Sequence, residues 1–180
     1  MSSNPPYIIT IDGTSSSGKS TISRLLAKKL NFKLLDSGKL YRSVGYIACD
    51  IYESIDIIKD YSELVSKISL KPNNVSHEYE VHYKNKIIDS LLYNENIGIA
   101  ASIISKVPEV RKSMYDLQHS CVKGNGLIAN GRDMGSEVFT DARLKIYITA
   151  DIDIRARRRY EELINNCLLY TSDAADEVVS

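Results

Sequence analysis

An α/β fold, a parallel sheet flanked by helices with a phosphate-binding loop at its edge, is predicted by three features of the 180-residue sequence. A β-branched run occupies residues 7–11, a glycine-bounded eight-residue motif follows it, and a helical apolar repeat follows the motif. The length suits one domain of common size with room for a small insert. Lys+Arg and Asp+Glu number 23 each, so no global positive field draws the chain onto nucleic acid or anionic lipid. Met1–Pro6 carries neither a positive n-region nor an apolar h-region, and no apolar stretch approaches the roughly 20 residues that a bilayer span needs. A cytoplasmic protein with no membrane or nucleic-acid partner is the expectation, and a monomer. Cys49, Cys121 and Cys167 are widely spaced, with no CxxC pair and no His at ligand spacing, and read as plain thiols.

Tyr7-Ile8-Ile9-Thr10-Ile11 reads as a strand covered on both faces. Behind the loop, Ile22, Leu25, Leu26 and Leu30 fall at helical spacing and are expected to pack as one stripe on the sheet. Phe32–Leu35 is a second short strand, and Leu40, Val44, Ile47, Ala48 and Ile51 repeat with helical period behind it. From about residue 62 to 105 the rhythm changes. Tyr79, Val81 and Tyr83 alternate with polar residues, then Lys84-Asn85-Lys86 and Ile87-Ile88 suggest a hairpin, so this stretch is expected to be an insert in a core spanning residues 1–165. Val110, Met114, Leu117 and Cys121 make a helical stripe after Pro108, while Leu127-Ile128-Ala129 and Lys145–Thr149 look like two more buried strands. The charged helical pattern of 154–164 gives way at Asn165 to a stretch that continues no period.

Gly13-Thr14-Ser15-Ser16-Ser17-Gly18-Lys19-Ser20 matches G-x-x-x-x-G-K-[ST] between a strand and a helix, with Thr21 directly behind it. Such glycines let successive N–H groups turn inward, and the helix N-terminus adds positive potential, so the loop cradles the phosphates of a nucleoside triphosphate. Lys19 supplies a point charge, and Ser20 offers its hydroxyl to Mg²⁺. ATP and Mg²⁺ are the expected donor and metal. The motif leaves open whether the γ-phosphoryl group goes to water, a metabolite or a mechanical cycle.

Two further clusters follow strands. Asp36-Ser37-Gly38 sits where open parallel sheets place substrates, or simply caps a helix. Gly131-Arg132-Asp133-Met134-Gly135 puts a cation and an anion at the same edge, or forms an ordinary turn ion pair. Taken together, ITIDGTSSSGKSTISRLLAKKL, LLDSGKLYR, AASIISKVPEVR and LIANGRDMGSEVF resemble the bacterial-type cytidylate kinase family, over about Ile8 to Leu163.

That resemblance implies a P-loop core with a nucleoside-monophosphate-binding insert and a mobile lid, and transfer of the γ-phosphoryl group of ATP to CMP or dCMP. It implies that Ser37 and Arg42 hold the acceptor nucleotide, that Ser102, Arg111 and Asp133 read the base, and that Arg132 contacts the acceptor phosphate. Lys19, Arg132, Arg155 and Arg159 would be the catalytic cations, with Arg158 beside the last two. A solvated helix face is the alternative for Ser102 and Arg111 and for the arginines at 155–159. Tyr41 reads as core packing, and His77, His82 and His119 lie outside every motif, as expected when an anionic acceptor needs no general base. The chain departs from the family pattern at Leu92-Tyr93-Asn94-Glu95, where an Arg is usual, and at Thr140, where Pro is usual. It also shows no RD-x-x-D-x-x-R segment, so residues 166–180 are expected to be a non-family tail from a truncated or misassembled gene. Two rivals stand beside this reading: another small-molecule P-loop kinase, and an ATP-binding module with little turnover.

Overall fold

The computed structural model describes residues 6–52, 60–162 and 164. Strand β1 (Tyr7–Gly13) runs through the loop into helix α1 (Lys19–Leu30), then strand β2 (Lys33–Asp36) and helix α2 (Ser37–Ile51). A short helix α3 (Tyr61–Ser66) leads to strands β3 (Ser69–Pro72), β4 (Tyr79–Tyr83) and β5 (Lys86–Ile87). A 3₁₀ turn (Asp89–Tyr93) precedes helices α4 (Glu95–Ile104) and α5 (Pro108–His119). Strand β6 (Gly126–Gly131), a π-type turn (Met134–Val138) and strand β7 (Leu144–Ile148) follow, and residues 152–162 form helix α6. The tail expected at 166–180, with Cys167, lies outside the described residues.

All four strands of the main sheet are parallel, in the order β2-β6-β1-β7. Register places Gly131 opposite Asp12, and Asn130 opposite both Ile11 and Asp36. The first, second and sixth strands therefore end level with one another, and their outgoing loops share one rim, the edge where open parallel sheets bind ligands. One hydrophobic cluster joins Leu35, Val44, Ile47, Leu127, Met134 and Phe139, and a smaller one joins Ile9, Ile11, Ala27, Leu34 and Ile128.

Two sequence expectations about packing are corrected. Ile22, Leu25 and Leu30 do not face the sheet, and Leu25 is 65% exposed. The packing face of α1 instead carries Ser23 and Ala27, one helical turn apart, with Leu26 half-buried. Small side chains let this helix settle close over β1 and β6, which an apolar count cannot detect. The strand expected at Lys145–Thr149 is β7, an edge rather than a buried strand: it pairs only with β1 among the described residues. Ile146 and Ile148 pack inward, while Leu144 and Tyr147 are exposed. The stripe Val110, Met114, Leu117 and Cys121 is inward as expected, and that of α2 is inward except for Ile51.

The expected hairpin is present. Lys84 and Asn85 adopt positive φ values of 49° and 62°, the left-handed pair of a tight turn whose twist matches its strands. The three-stranded antiparallel sheet β3-β4-β5 leans on the edge of β2, where the Leu34 amide donates to the His77 carbonyl at 2.8 Å and Lys33 Nζ donates to the Asn73 carbonyl at 2.9 Å.

Candidate functional site

The phosphate loop leaves β1 at Gly13, where a Cβ would overlap the Ile148 carbonyl oxygen of β7, so only glycine allows the strands to close there. At its far end Gly18 has φ +95°, a left-handed conformation that starts α1 without a side-chain penalty. Lys19 Nζ donates to the Thr14 carbonyl at 3.1 Å, folding the side chain back over its own loop. Burial lowers the Lys19 pKa, and Arg132 pushes the same way, against Asp36 and Asp12. The hydroxyls of Thr14 and Ser17 are buried without a hydrogen-bond partner among the described residues, as suits a cradle for an oxygen-rich ligand. Thr21 is exposed on the first turn of α1.

Asn130, at the end of β6 and 1% exposed, donates from Nδ2 to Ser20 Oγ at 3.2 Å, while its Oδ1 is buried with no partner among the described residues. One lone pair of the Ser20 hydroxyl is thereby used and its orientation fixed, leaving the other for a cation. The donor set, a neutral hydroxyl with a nearby unused amide oxygen, fits an oxygen-seeking Mg²⁺ that keeps most of its ligands as phosphate and water. Among the described residues no group of three His, Cys, Asp or Glu side chains is gathered that could hold a metal alone.

Arg132 leaves the end of β6 and donates from Nη2 to Ser15 Oγ at 2.8 Å. Arg158, on α6, reaches the Ser16 carbonyl at 3.4 Å. Arg155 and Arg159 make no hydrogen bond to the loop among the described residues: Arg155 Nε donates to the Ala150 carbonyl at 3.1 Å, and Arg159 pairs with Glu162 at 3.0 Å.

Across the rim, Asp36 caps α2 by accepting from the Lys39 amide at 3.3 Å, so the capping alternative for Asp36-Ser37-Gly38 holds. Ser37 is 4% exposed and its hydroxyl accepts from the buried Gln118 amide at 3.4 Å. Arg42 donates to the Leu92 carbonyl at 3.2 Å and stacks over Tyr93 at 5.8 Å, in space that a side chain at Gly98 would occupy. Arg111, on α5, forms an ion pair with Asp133 that raises the arginine pKa. Tyr41 packs against the core cluster and also lies beside this pair, its hydroxyl pKa pushed up by burial, with Arg111 opposing and Asp133 adding. Ser102 is exposed on α4 and makes no hydrogen bond to Arg111 or Asp133 among the described residues. His119 is a packing residue, stacked on Tyr115 at 4.1 Å.

Sequence reasoning missed Asp12, Lys39, Gln118 and Asn130. Asp12 and Asn130 do interrupt otherwise apolar strands just before glycines, which is the one trace they leave in the sequence. Asp12 is buried, and its two carboxylate oxygens accept from the Met134 and Gly135 amides at 2.8 Å each.

A family model described as cytidylate kinase matches residues 9–179. A cytidylate kinase of Azotobacter vinelandii is 39% identical over 162 residues, covering 88% of this chain and 70% of that protein. A cytidylate kinase of Pseudomonas entomophila is 38% identical over 172 residues, covering 91% of this chain and 72% of that one. A bifunctional pantoate ligase/cytidylate kinase of Prochlorococcus marinus is 42% identical over 156 residues, covering 84% of this chain and 30% of that protein.

Proposed function

The chain belongs to the cytidylate kinase family, and on that premise we propose that it transfers the γ-phosphoryl group of ATP to CMP or dCMP, giving ADP and CDP or dCDP. The observation that carries this reading is the pairing of two half-sites on adjacent strands. The loop bearing Lys19 leaves β1, and Arg132 leaves the neighbouring β6 to reach Ser15 of that loop, while the next residue, Asp133, pairs with Arg111.

The chemistry follows from those positions. An acceptor phosphate oxygen attacks the γ-phosphorus, the bond from that phosphorus to the β–γ bridging oxygen breaks, and the electron pair leaves with ADP. The acceptor is already an anion, so alignment and charge neutralisation suffice and no general base is required. Lys19 and Arg132 would supply positive charge to the transferred group, and Arg158, which reaches the Ser16 carbonyl of the same loop, would add to it. Ser20, oriented by Asn130, would hold Mg²⁺, which would supply positive charge to offset that of the phosphates. Ser37, Arg42 and Ser102 are assigned to the acceptor nucleotide, as the family's motifs imply. Cytosine presents an exocyclic amino donor beside ring acceptors, and the Asp133 carboxylate with the Arg111 guanidinium complements both. Uracil presents a carbonyl oxygen where cytosine has that amino group, so the carboxylate loses one donor and faces an acceptor instead, at a cost of about 1–3 kcal/mol.

A coupled ADP-release assay offering CMP, dCMP, UMP and AMP, with Lys19→Ala as control, tests the reading. Turnover is expected to be fastest with CMP or dCMP and absent in the variant. Fastest turnover with UMP or AMP overturns it, and ATP binding without turnover on any acceptor favours an ATP-binding module.

A further inference from the structure

We propose that Asp12 is the positioning residue for base reading: its buried carboxylate clamps the turn that carries Arg132 and Asp133 onto the root of the phosphate loop. The inference rests on the reading of Asp133 as the group that recognises cytosine.

Asp12 is the last residue of β1 before Gly13, is 8% exposed, and lies opposite Gly131 in the parallel register. Oδ1 accepts from the Met134 amide and Oδ2 from the Gly135 amide, each at 2.8 Å. Two adjacent backbone donors thus meet two acceptors on one rigid plane, and charge-assisted bonds of this kind are about twice as strong as neutral ones. Only a carboxylate can do this, because an asparagine of the same shape turns one N–H against another. The clamped amides directly follow Asp133. The peptide joining Asp133 to Met134 is held at its oxygen as well, the Asp133 carbonyl accepting from the Glu137 amide at 2.9 Å and the Val138 amide at 3.4 Å. With the peptide that follows it fixed at both N–H and C=O, Asp133 keeps its carboxylate against Arg111 on α5. Both Asp12 oxygens are engaged by the turn and the side chain is out of solvent, so the residue acts through Arg132 and Asp133 and not on the substrate itself. Its negative charge also acts on Lys19, raising that residue's pKa, while its hydrogen bonds go to the turn and not to the phosphate loop.

Calorimetric titration of the full chain with CMP, UMP and ATP separates the possibilities, using wild type, Asp12→Asn and Asp133→Asn. Asp12→Asn is expected to weaken CMP binding by roughly 10- to 100-fold and to bring the CMP and UMP affinities close together, with ATP binding no weaker than in wild type. A parallel loss of CMP and ATP affinity marks Asp12 as general scaffolding and overturns the proposal. An unchanged CMP-to-UMP ratio in Asp12→Asn, with the ratio lost in Asp133→Asn, also overturns it and leaves the reading of Asp133 standing. An unchanged ratio in Asp133→Asn removes that reading and the inference with it. Should Asp12→Asn not fold, amide exchange in nucleotide-free wild type decides. Protection of the Met134 and Gly135 amides by about 100-fold or more supports the clamp, and exchange at the unstructured rate overturns it.

Discussion

Lys19 occupies a position where its charge is costly until a ligand arrives. Burial is the largest influence lowering its pKa below 10.5, and Arg132 adds to it while Asp36 and Asp12 oppose. A triphosphate brings several negative charges within contact distance and raises that pKa again. Between the depressed value of the free protein and the restored value of the complex, binding takes up a proton. ATP affinity is therefore expected to fall as pH rises, beginning below pH 10.5, with a limiting slope of about tenfold per pH unit. Calorimetry across the alkaline range checks this, and a flat profile in Lys19→Arg beside a falling one in wild type assigns the proton to Lys19. Among single residues, those fixed by the loop's own chemistry were legible in the sequence: no other arrangement explains glycines, a lysine and a serine at that spacing. Asp12 and Asn130 were not, because their partners lie more than a hundred residues away at 134, 135 and 20, and a polar residue ending an apolar strand is also what an ordinary strand end looks like.

At the scale of elements, the antiparallel insert is joined to the core by charges that no motif announces. Lys39, on the inward face of α2 with 6% of its side chain exposed, donates to Asp89 at 2.8 Å, to Glu78 at 3.3 Å and to the Tyr79 carbonyl at 3.2 Å. Arg24 of α1 completes the network by pairing with Glu78 at 2.8 Å. Burial alone lowers the Lys39 pKa, but the Asp89 hydrogen bond and the Asp89 and Glu78 charges outweigh it, and the net shift is upward. For Glu78 burial acts upward, and Arg24 and Lys39 together outweigh it to hold the carboxyl below 4.5. The signs follow: the Lys39 contribution is present below pH 10.5 and lost as pH rises through its raised value, while the Glu78 contribution is present above pH 4.5 and lost as pH falls through its depressed value. Lys39→Met strips Asp89 of its cation and leaves Glu78 with Arg24 alone, so urea unfolding at neutral pH is expected to show a loss of about 2–3 kcal/mol, less than for a fully buried pair because both acids keep some solvent contact. The loss should shrink as pH drops below 4.5 and Glu78 takes up a proton. A pH-independent loss would mean that packing, not charge, is what Lys39 supplies. The hairpin itself was readable, since alternation and the Lys84-Asn85 turn are local. The docking of its sheet on β2 was not, since it rests on a buried lysine in the first turn of a helix and on a backbone bond from Leu34.

For the whole molecule, periodicity gave strands and helices in sequence but not the order β2-β6-β1-β7, because a period reports which faces are buried and not which strand lies beside which. That order matters most for function. Placing β6 between β1 and β2 sets the loop of Arg132 and Asp133 between the phosphate loop and Asp36-Ser37, so both ligands meet one rim of one sheet. Each ligand that binds only the folded chain stabilises it by mass action, about 2.7 kcal/mol at a hundredfold excess over its dissociation constant. In a domain of this size that corresponds to a rise in melting temperature of roughly 5–10 °C. ATP with Mg²⁺ and CMP are expected to produce such shifts separately, and UMP at the CMP concentration a smaller one. Lys19→Ala divides the rim in two, since it removes a contact to the donor alone: the ATP shift should collapse while the CMP shift survives. If the variant loses both shifts, the halves are not independent sites. If CMP and UMP shift wild type equally, the Arg111–Asp133 pair is not reading the base.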